Sequence, residues 1–242
     1  MAEIGSLPTD VAGYVLAGGR SSRMGRDKAM LRLAGVPLVE HAVRKLRNIT
    51  PDVSILSSNP NLASLARLVP DLHKNCGPLG GIEAALADTQ KQWVLILPVD
   101  TPFVPAVLLR DWIGRILRDD RARVSLFSVD GAVQPALCML HRDVASYVRK
   151  SVEDSRLALF REMKTAAHQL AEKADMTISD VLILREWNER EARRFSAELE
   201  RAGQGDEITT VQWAAAPLWF TNLNTPDEFA QAERYACALD VM

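Results

Sequence analysis

The sequence predicts an α/β protein with a mostly parallel sheet covered by helices on both faces. Short apolar runs at Val11–Leu16, Val53–Leu56 and residues 93–97 read as buried strands. Helix-period segments separate them, and strand–helix alternation is the pattern of a parallel sheet. The runs also empty into clusters of glycine, asparagine, proline or aspartate, at the strand ends where open α/β sheets collect their ligands.

Composition narrows the class. The 242 residues are 48% hydrophobic and 25% charged, which suits a sizeable core in one large domain, or in one domain with a small appendage. A net charge of -2 argues against a nucleic-acid binder. Cys76, Cys138 and Cys237 form no CxxC, and the four histidines form no HxxxH pair. A zinc site is therefore not expected, and a reducing compartment is. No signal peptide is read in the first ten residues and no membrane span anywhere, so the expectation is a soluble, cytoplasmic protein.

The first strand, Val11–Leu16, runs into residues 16–28, LAGGRSSRMGRDK. Gly18 and Gly19 let a ligand lie against the main chain. Arg20, Arg23, Arg26 and Lys28 set four positive charges against the single negative charge of Asp27. Glycines followed by cations suit a polyphosphate. The spacing matches neither GxxxxGK[ST] nor GxGxxG.

Residues 38–49 carry Leu38, Val39, Ala42, Val43 and Leu46 on one helical face. Val53–Leu56 is the second strand, ending in Ser57-Ser58-Asn59-Pro60. Residues 62–68 read as a short helix and 69–71 as an extended link. Residues 76–82, CGPLGGI, read as a glycine-rich turn that a planar group can approach, feeding a helix from Ile82. Residues 93–97 are the most strand-like in the chain and lead to Pro98-Val99-Asp100-Thr101-Pro102-Phe103. A lone carboxylate there suits a hard divalent cation, or a cap on a helix starting near Phe103.

A helix over 107–117 and the strand Val124–Val129 follow. Asp130-Gly131 is a hairpin signal, returning through 133–140 with Gln134-Pro135 on the return strand. Proline there marks an edge or a bulge. Residues 186–202 place Trp187, Phe195, Leu199 and Ala202 on one stripe, for internal packing, a subunit contact or a lid. In residues 219–228, Asn222 and Asn224 share a side while Leu223 turns inward. Thr225, Pro226 and Glu228 form a capping box, and 229–239 closes as a helix.

Four stretches, in order, resemble signatures of the MobA family, the molybdenum cofactor guanylyltransferases: LAGGRSSRMGRDK, GPLGGI, PVDTPF and NLNTPDE. The resemblance covers 11–160 and 218–239. It implies a Rossmann-like three-layer α/β/α sandwich of the nucleotidyltransferase, glycosyltransferase-A-like kind, here one domain over 1–242 with a helical insertion at about 165–212.

The resemblance further implies transfer of GMP from GTP to the phosphate of molybdopterin or Mo-molybdopterin, with release of pyrophosphate. Asp100 would hold Mg2+, and Lys28 and Arg23 would offset phosphate charge. Leu16, Ala17, Gly18, Gly19, Lys28, Asn59, Asp71, Gly77, Pro78, Gly80 and Asp100 would bind the nucleotide, with Asp71 accepting from guanine N1 and N2. Gln134, Arg156, Asn222 and Asn224 would face the pterin substrate. Further implied partners are molybdenum-insertion proteins and acceptor molybdoenzymes or their chaperones. The chain departs from the family at Ser57, where an asparagine is common, and in a short link from Asp71 to Gly77. The alternatives are CTP or another phosphorylated acceptor, and a non-catalytic cofactor-binding chaperone.

Overall fold

In the computed structural model, residues 8–18 and 27–240 are described. Strand β1 (Val11–Leu16) leads to a small ribbon, β2 (Arg32–Leu33) and β3 (Val36–Pro37), and helix α1 (Leu38–Arg47). Then come β4 (Val53–Leu56), β5 (Arg67–Val69), α2 (Gly77–Asp88), β6 (Trp93–Pro98) and α3 (Ala106–Ile116). The hairpin β7 (Val124–Val129) and β8 (Ala132–His141) precedes α4 (Ala145–Glu153), α5 (Leu159–Lys173) and the single turn α6 (Ile178–Val181). Strand β9 (Leu182–Trp187) and helices α7 (Glu189–Arg201), α8 (Thr210–Ala214) and α9 (Pro226–Arg234) follow.

Seven of these strands form one sheet in the order β5-β4-β1-β6-β8-β7-β9. Among them, only β8 runs against its neighbours. Alternation along each strand sorts the core into two layers. Val11 and Val15 of β1, Leu95 and Leu97 of β6, and Phe127 of β7 face α1, α3, α7 and the C-terminal helices. Ala12, Tyr14, Leu16, Val94, Ile96 and Leu126 face α2, α4 and α5. The result is the three-layer α/β/α arrangement read from the sequence.

The β7–β8 turn carries Asp130 at φ 48° and Gly131 at φ 81°, the paired positive angles that a two-residue hairpin demands. The register between these strands shifts between Leu126 and Phe127, on the stretch facing Pro135, as expected where proline removes a ladder donor.

Three local expectations are corrected. Residues 62–68 do not form a helix: a 3-10 turn at Pro60–Leu62 is followed by β5, which pairs in parallel with β4. The GPLGG segment is no turn ahead of a helix but the start of α2 itself. The last helix begins at Pro226 and ends at Arg234, short of residue 239.

Residues 165–212 hold a strand as well as helices. β9 pairs in parallel with β7 from Val124↔Leu182 to Val129↔Trp187 and so extends the sheet at its edge. On the 186–202 stripe, Trp187, Phe195 and Leu199 are buried, while Ala202 is exposed.

Candidate active site

The parallel strands β1, β4 and β6 all end at one edge of the sheet, and the chain brings three distant segments together above β1 and β6. After β6, the Val99 amide donates to the Leu16 carbonyl at 3.3 Å, tying the two strand ends together. The Asp100 carbonyl then accepts the Leu223 amide at 2.9 Å. That bond draws the C-terminal segment across the strand end, with Leu223 only 1% exposed.

At this junction, Lys28 Nζ donates to Asp100 Oδ2 at 2.7 Å and to Asn224 Oδ1 at 2.6 Å. Three of the expected site residues thus meet around one ammonium group. Both charged side chains are only partly exposed, 17% for Lys28 and 22% for Asp100, so the pair is less screened than a surface ion pair. Asp100 does not cap α3, whose N-terminal flank is Pro105.

Short-range devices fix each partner. Asp27 Oδ1 accepts the Ala29 amide at 3.0 Å, capping the 3-10 turn that carries Lys28. Its Oδ2 accepts Asn59 Nδ2 at 2.8 Å, so Asn59 reaches the Lys28 loop through Asp27. The Ser57 hydroxyl accepts the Asn59 amide at 3.1 Å, which gives the serine a supporting place in the same turn. Thr225 and Glu228 form the expected capping box. Glu228 also accepts the Asn224 amide at 2.5 Å. These backbone N–H groups, that of Asn224 foremost, hold the Glu228 carboxyl below its ordinary range.

The second part of the site lies at the start of α2. Gly18, after β1, is exposed, and a Cβ built on it would stand 3.6 Å from the Leu56 carbonyl. A Cβ on Gly80 would lie 2.8 Å from Cys76 Cβ, and one on Gly81 would lie 3.0 Å from Leu16 Cδ1. Glycine is needed there for close approach rather than for a turn. The Asp71 oxygens lie 3.7–3.8 Å from the same two Cβ positions, so its carboxylate stands over Gly80 and Gly81. Partial desolvation, and then the negative charge of Glu83, raise the Asp71 carboxyl above its ordinary range.

Gln134 precedes Cys138 on β8 by four residues. Since Cys138 pairs with Ile96, Gln134 lies past the carboxyl end of β6, on the site's side of the sheet. Arg156 joins α4 to α5. These helices run up from the far end of β8 and back down to the start of β9, so their joint also lies at the site's end. Its guanidinium is held locally, by Glu162 at 3.1 Å and by Asp154. Gly19 and Arg23, with Arg20 and Arg26, fall outside the described residues.

Sequence reasoning missed Asp27 as the link to Asn59, and missed the pair of His73 with the buried Glu83 beside Asp71. The signal for Glu83 was present: it is the only charge among the apolar residues 77–87. Among the described residues, no cluster of three or more His, Cys, Asp or Glu could hold a metal ion, and no helix is long and apolar enough to cross a membrane.

Comparison with known proteins gives consistent findings. The model of the MobA-like NTP transferase domain matches residues 13–174. A molybdenum cofactor guanylyltransferase of Vibrio atlanticus is 30% identical over 233 residues, covering 93% of this chain and 96% of the relative. The crystal structure of molybdopterin-guanine dinucleotide biosynthesis protein A from Archaeoglobus fulgidus superposes with a TM-score of 0.66 at 20% identity. It covers 94% of this chain and all of that one. The 2-C-methyl-D-erythritol 4-phosphate cytidylyltransferase of Thermus thermophilus superposes with a TM-score of 0.57 at 15% identity, covering 95% and 100%. The two superpositions bear on the fold alone.

Proposed function

The chain belongs to the MobA-like NTP transferase family, and from that premise we propose that it transfers GMP from GTP to the terminal phosphate of molybdopterin. An acceptor phosphate oxygen attacks the α-phosphorus of GTP. The new O–P bond forms as the bond to the β-phosphate oxygen breaks, pyrophosphate leaves, and a guanine dinucleotide results. No nucleophilic side chain is needed, so the protein's share is positioning and charge neutralisation.

The observation that carries this reading is the meeting of Lys28, Asp100 and Asn224 from three separate family motifs. Lys28 is placed to take the triphosphate oxygens, exchanging its present carboxylate and amide partners for phosphate. Asp100 and the Asn224 amide oxygen are hard oxygen donors, which fits a divalent cation such as Mg2+ with the remaining positions left to phosphate and water. When bound, the cation offsets negative charge on the phosphates. Asn222 and Asn224, with Gln134 and Arg156 at the same end of the sheet, serve the acceptor. Leu16, Ala17 and Gly18 line the nucleotide slot with Gly77, Pro78 and Gly80. Asn59 supports the Lys28 loop through Asp27, and Asp71 accepts from guanine N1 and N2. Molybdenum-insertion proteins and recipient enzymes are the natural neighbours in such a pathway, and the cytoplasm the natural compartment.

The test is pyrophosphate release from each of the four NTPs with magnesium and molybdopterin. GTP should be strongly preferred, and Asp71→Ala should erode the preference, because an acceptor matched to the guanine N–H donors is what separates this base from the others. Equal turnover of CTP by the unmutated protein would overturn the assignment.

A further inference from the structure

Glu83 lies on the second turn of α2, 2% exposed, in an otherwise apolar run. Its Oε2 meets His73 Nδ1 at 2.9 Å, while its Oε1 is buried with no hydrogen-bond partner. A carboxylate so placed is costly, since one oxygen lacks compensation for lost water. A purely structural site would be served as well by an apolar side chain.

What the cost sustains is visible in the loop joining β5 to α2. His73 belongs to that loop, two residues after Asp71, and its carbonyl lies 3.5 Å from the Cβ position of Gly80. At His73 the loop thus turns its backbone to the bare glycine surface, and the ring on Glu83 pins it there. Asp71 stands over Gly80 and Gly81 only while the loop stays against the helix. The loop's seat, rather than a bond of its own, fixes the Asp71 carboxylate.

We propose that Glu83, acting through His73, is a positioning residue that sets base specificity by holding the Asp71 carboxylate over the Gly80–Gly81 surface. The inference rests on the reading of this surface as the guanine end of the nucleotide slot. It makes a prediction opposite in sign to simple charge effects. Glu83 carries the same sign of charge as Asp71 and as the nucleotide phosphates, so a mere electrostatic neighbour, once removed, would give tighter GTP binding. A positioning residue, once removed, gives weaker GTP binding.

The experiment is calorimetric titration of the full chain with MgGTP and with MgATP. Glu83→Met fills the buried volume without the charge. It should cut GTP affinity by about tenfold and leave ATP affinity unchanged. In an Asp71→Ala background the same change should have no further effect, because residues acting as one unit are not additive. His73→Ala, at a half-exposed position, should reproduce the selective loss and serves if Glu83→Met does not fold. Tighter GTP binding, or equal losses for GTP and ATP, or a full additional loss on top of Asp71→Ala, would overturn the proposal while leaving the guanine slot in place. A wild-type protein without preference for GTP, or one whose preference survives Asp71→Ala, would overturn the slot reading and this inference with it.

Discussion

Lys28 and Asp100 touch each other, yet the proposed function gives them different work, and the difference can be measured. On the proposed role of Asp100 as metal ligand, Asp100→Asn keeps the shape but loses the charge a divalent cation would need, so turnover should fall and raised magnesium should recover part of it. On the proposed role of Lys28, Lys28→Ala removes the cation that would meet the phosphates directly, so turnover should drop roughly 100-fold or more with no recovery at high magnesium. Steady-state rates across a magnesium series separate the two, and full transfer by both folded variants would place the site elsewhere. At this scale the meeting of Lys28, Asp100 and Asn224 was legible because each stands within a short contiguous motif. Links outside such motifs were not. That Asn59 works through Asp27, 32 residues away, depends on how the ends of β1 and β4 lie side by side. The same holds for Glu83, whose partner lies ten residues upstream across a loop.

Among the elements, the α4–α5 joint shows how a local network holds a candidate substrate residue. Glu162, 2% exposed on its side chain, accepts from Arg156, Ser151 and Arg161 at 3.0–3.1 Å. Burial alone would raise its carboxyl, but these donors outweigh it and the net shift is downward. The folded protein thus binds this proton less readily than the unfolded chain. Its contribution is present above the ordinary glutamate range, near pH ~4, and is lost as pH falls through the depressed folded-state value. Melting temperature against pH should therefore show wild type above Glu162→Gln at neutral pH, with the gap closing in acid. A gap that stays constant would mean the carboxylate is not what matters. The elements that escaped sequence reading share one cause. β5 is three residues long and β9 carries Arg185 and Glu186 in its middle, as sheet-edge strands do, so neither shows the apolar run of a central strand. α2 opens with glycines that lower helix propensity, but tight packing against Leu16 and Cys76 requires them. Tertiary contact overrode local preference in each.

Across the whole molecule, the aromatic cluster joins the sheet edge to the segment that closes the site. Phe195 of α7 meets Trp187 of β9 at 5.8 Å and Trp213 of α8 at 6.5 Å between ring centroids. Trp187 and Trp213 both meet Trp219, at 5.5 and 5.1 Å. Trp219 is fully buried, its indole N–H donates to the Gln212 carbonyl at 3.0 Å, and it stands three residues before Asn222. The residues beyond the family match at 174 therefore pack on the same core that seats Asn222 and Asn224. Two truncations in this cluster should differ in a telling way. Phe195→Ala removes a buried ring that reaches Trp219 through Trp187 and Trp213 and should cost roughly 3–5 kcal/mol, a melting shift on the order of 10 °C in a chain of this size. GTP affinity and turnover of the folded fraction should be unchanged. Trp219→Leu removes a similar volume but loosens the segment carrying the asparagines, so it should lower melting temperature and also lower kcat for guanylyl transfer. Scanning calorimetry paired with turnover on each variant reads both effects. If Phe195→Ala instead changes kcat or sedimentation with little loss of stability, the α7 stripe is a lid or a subunit contact rather than part of the core.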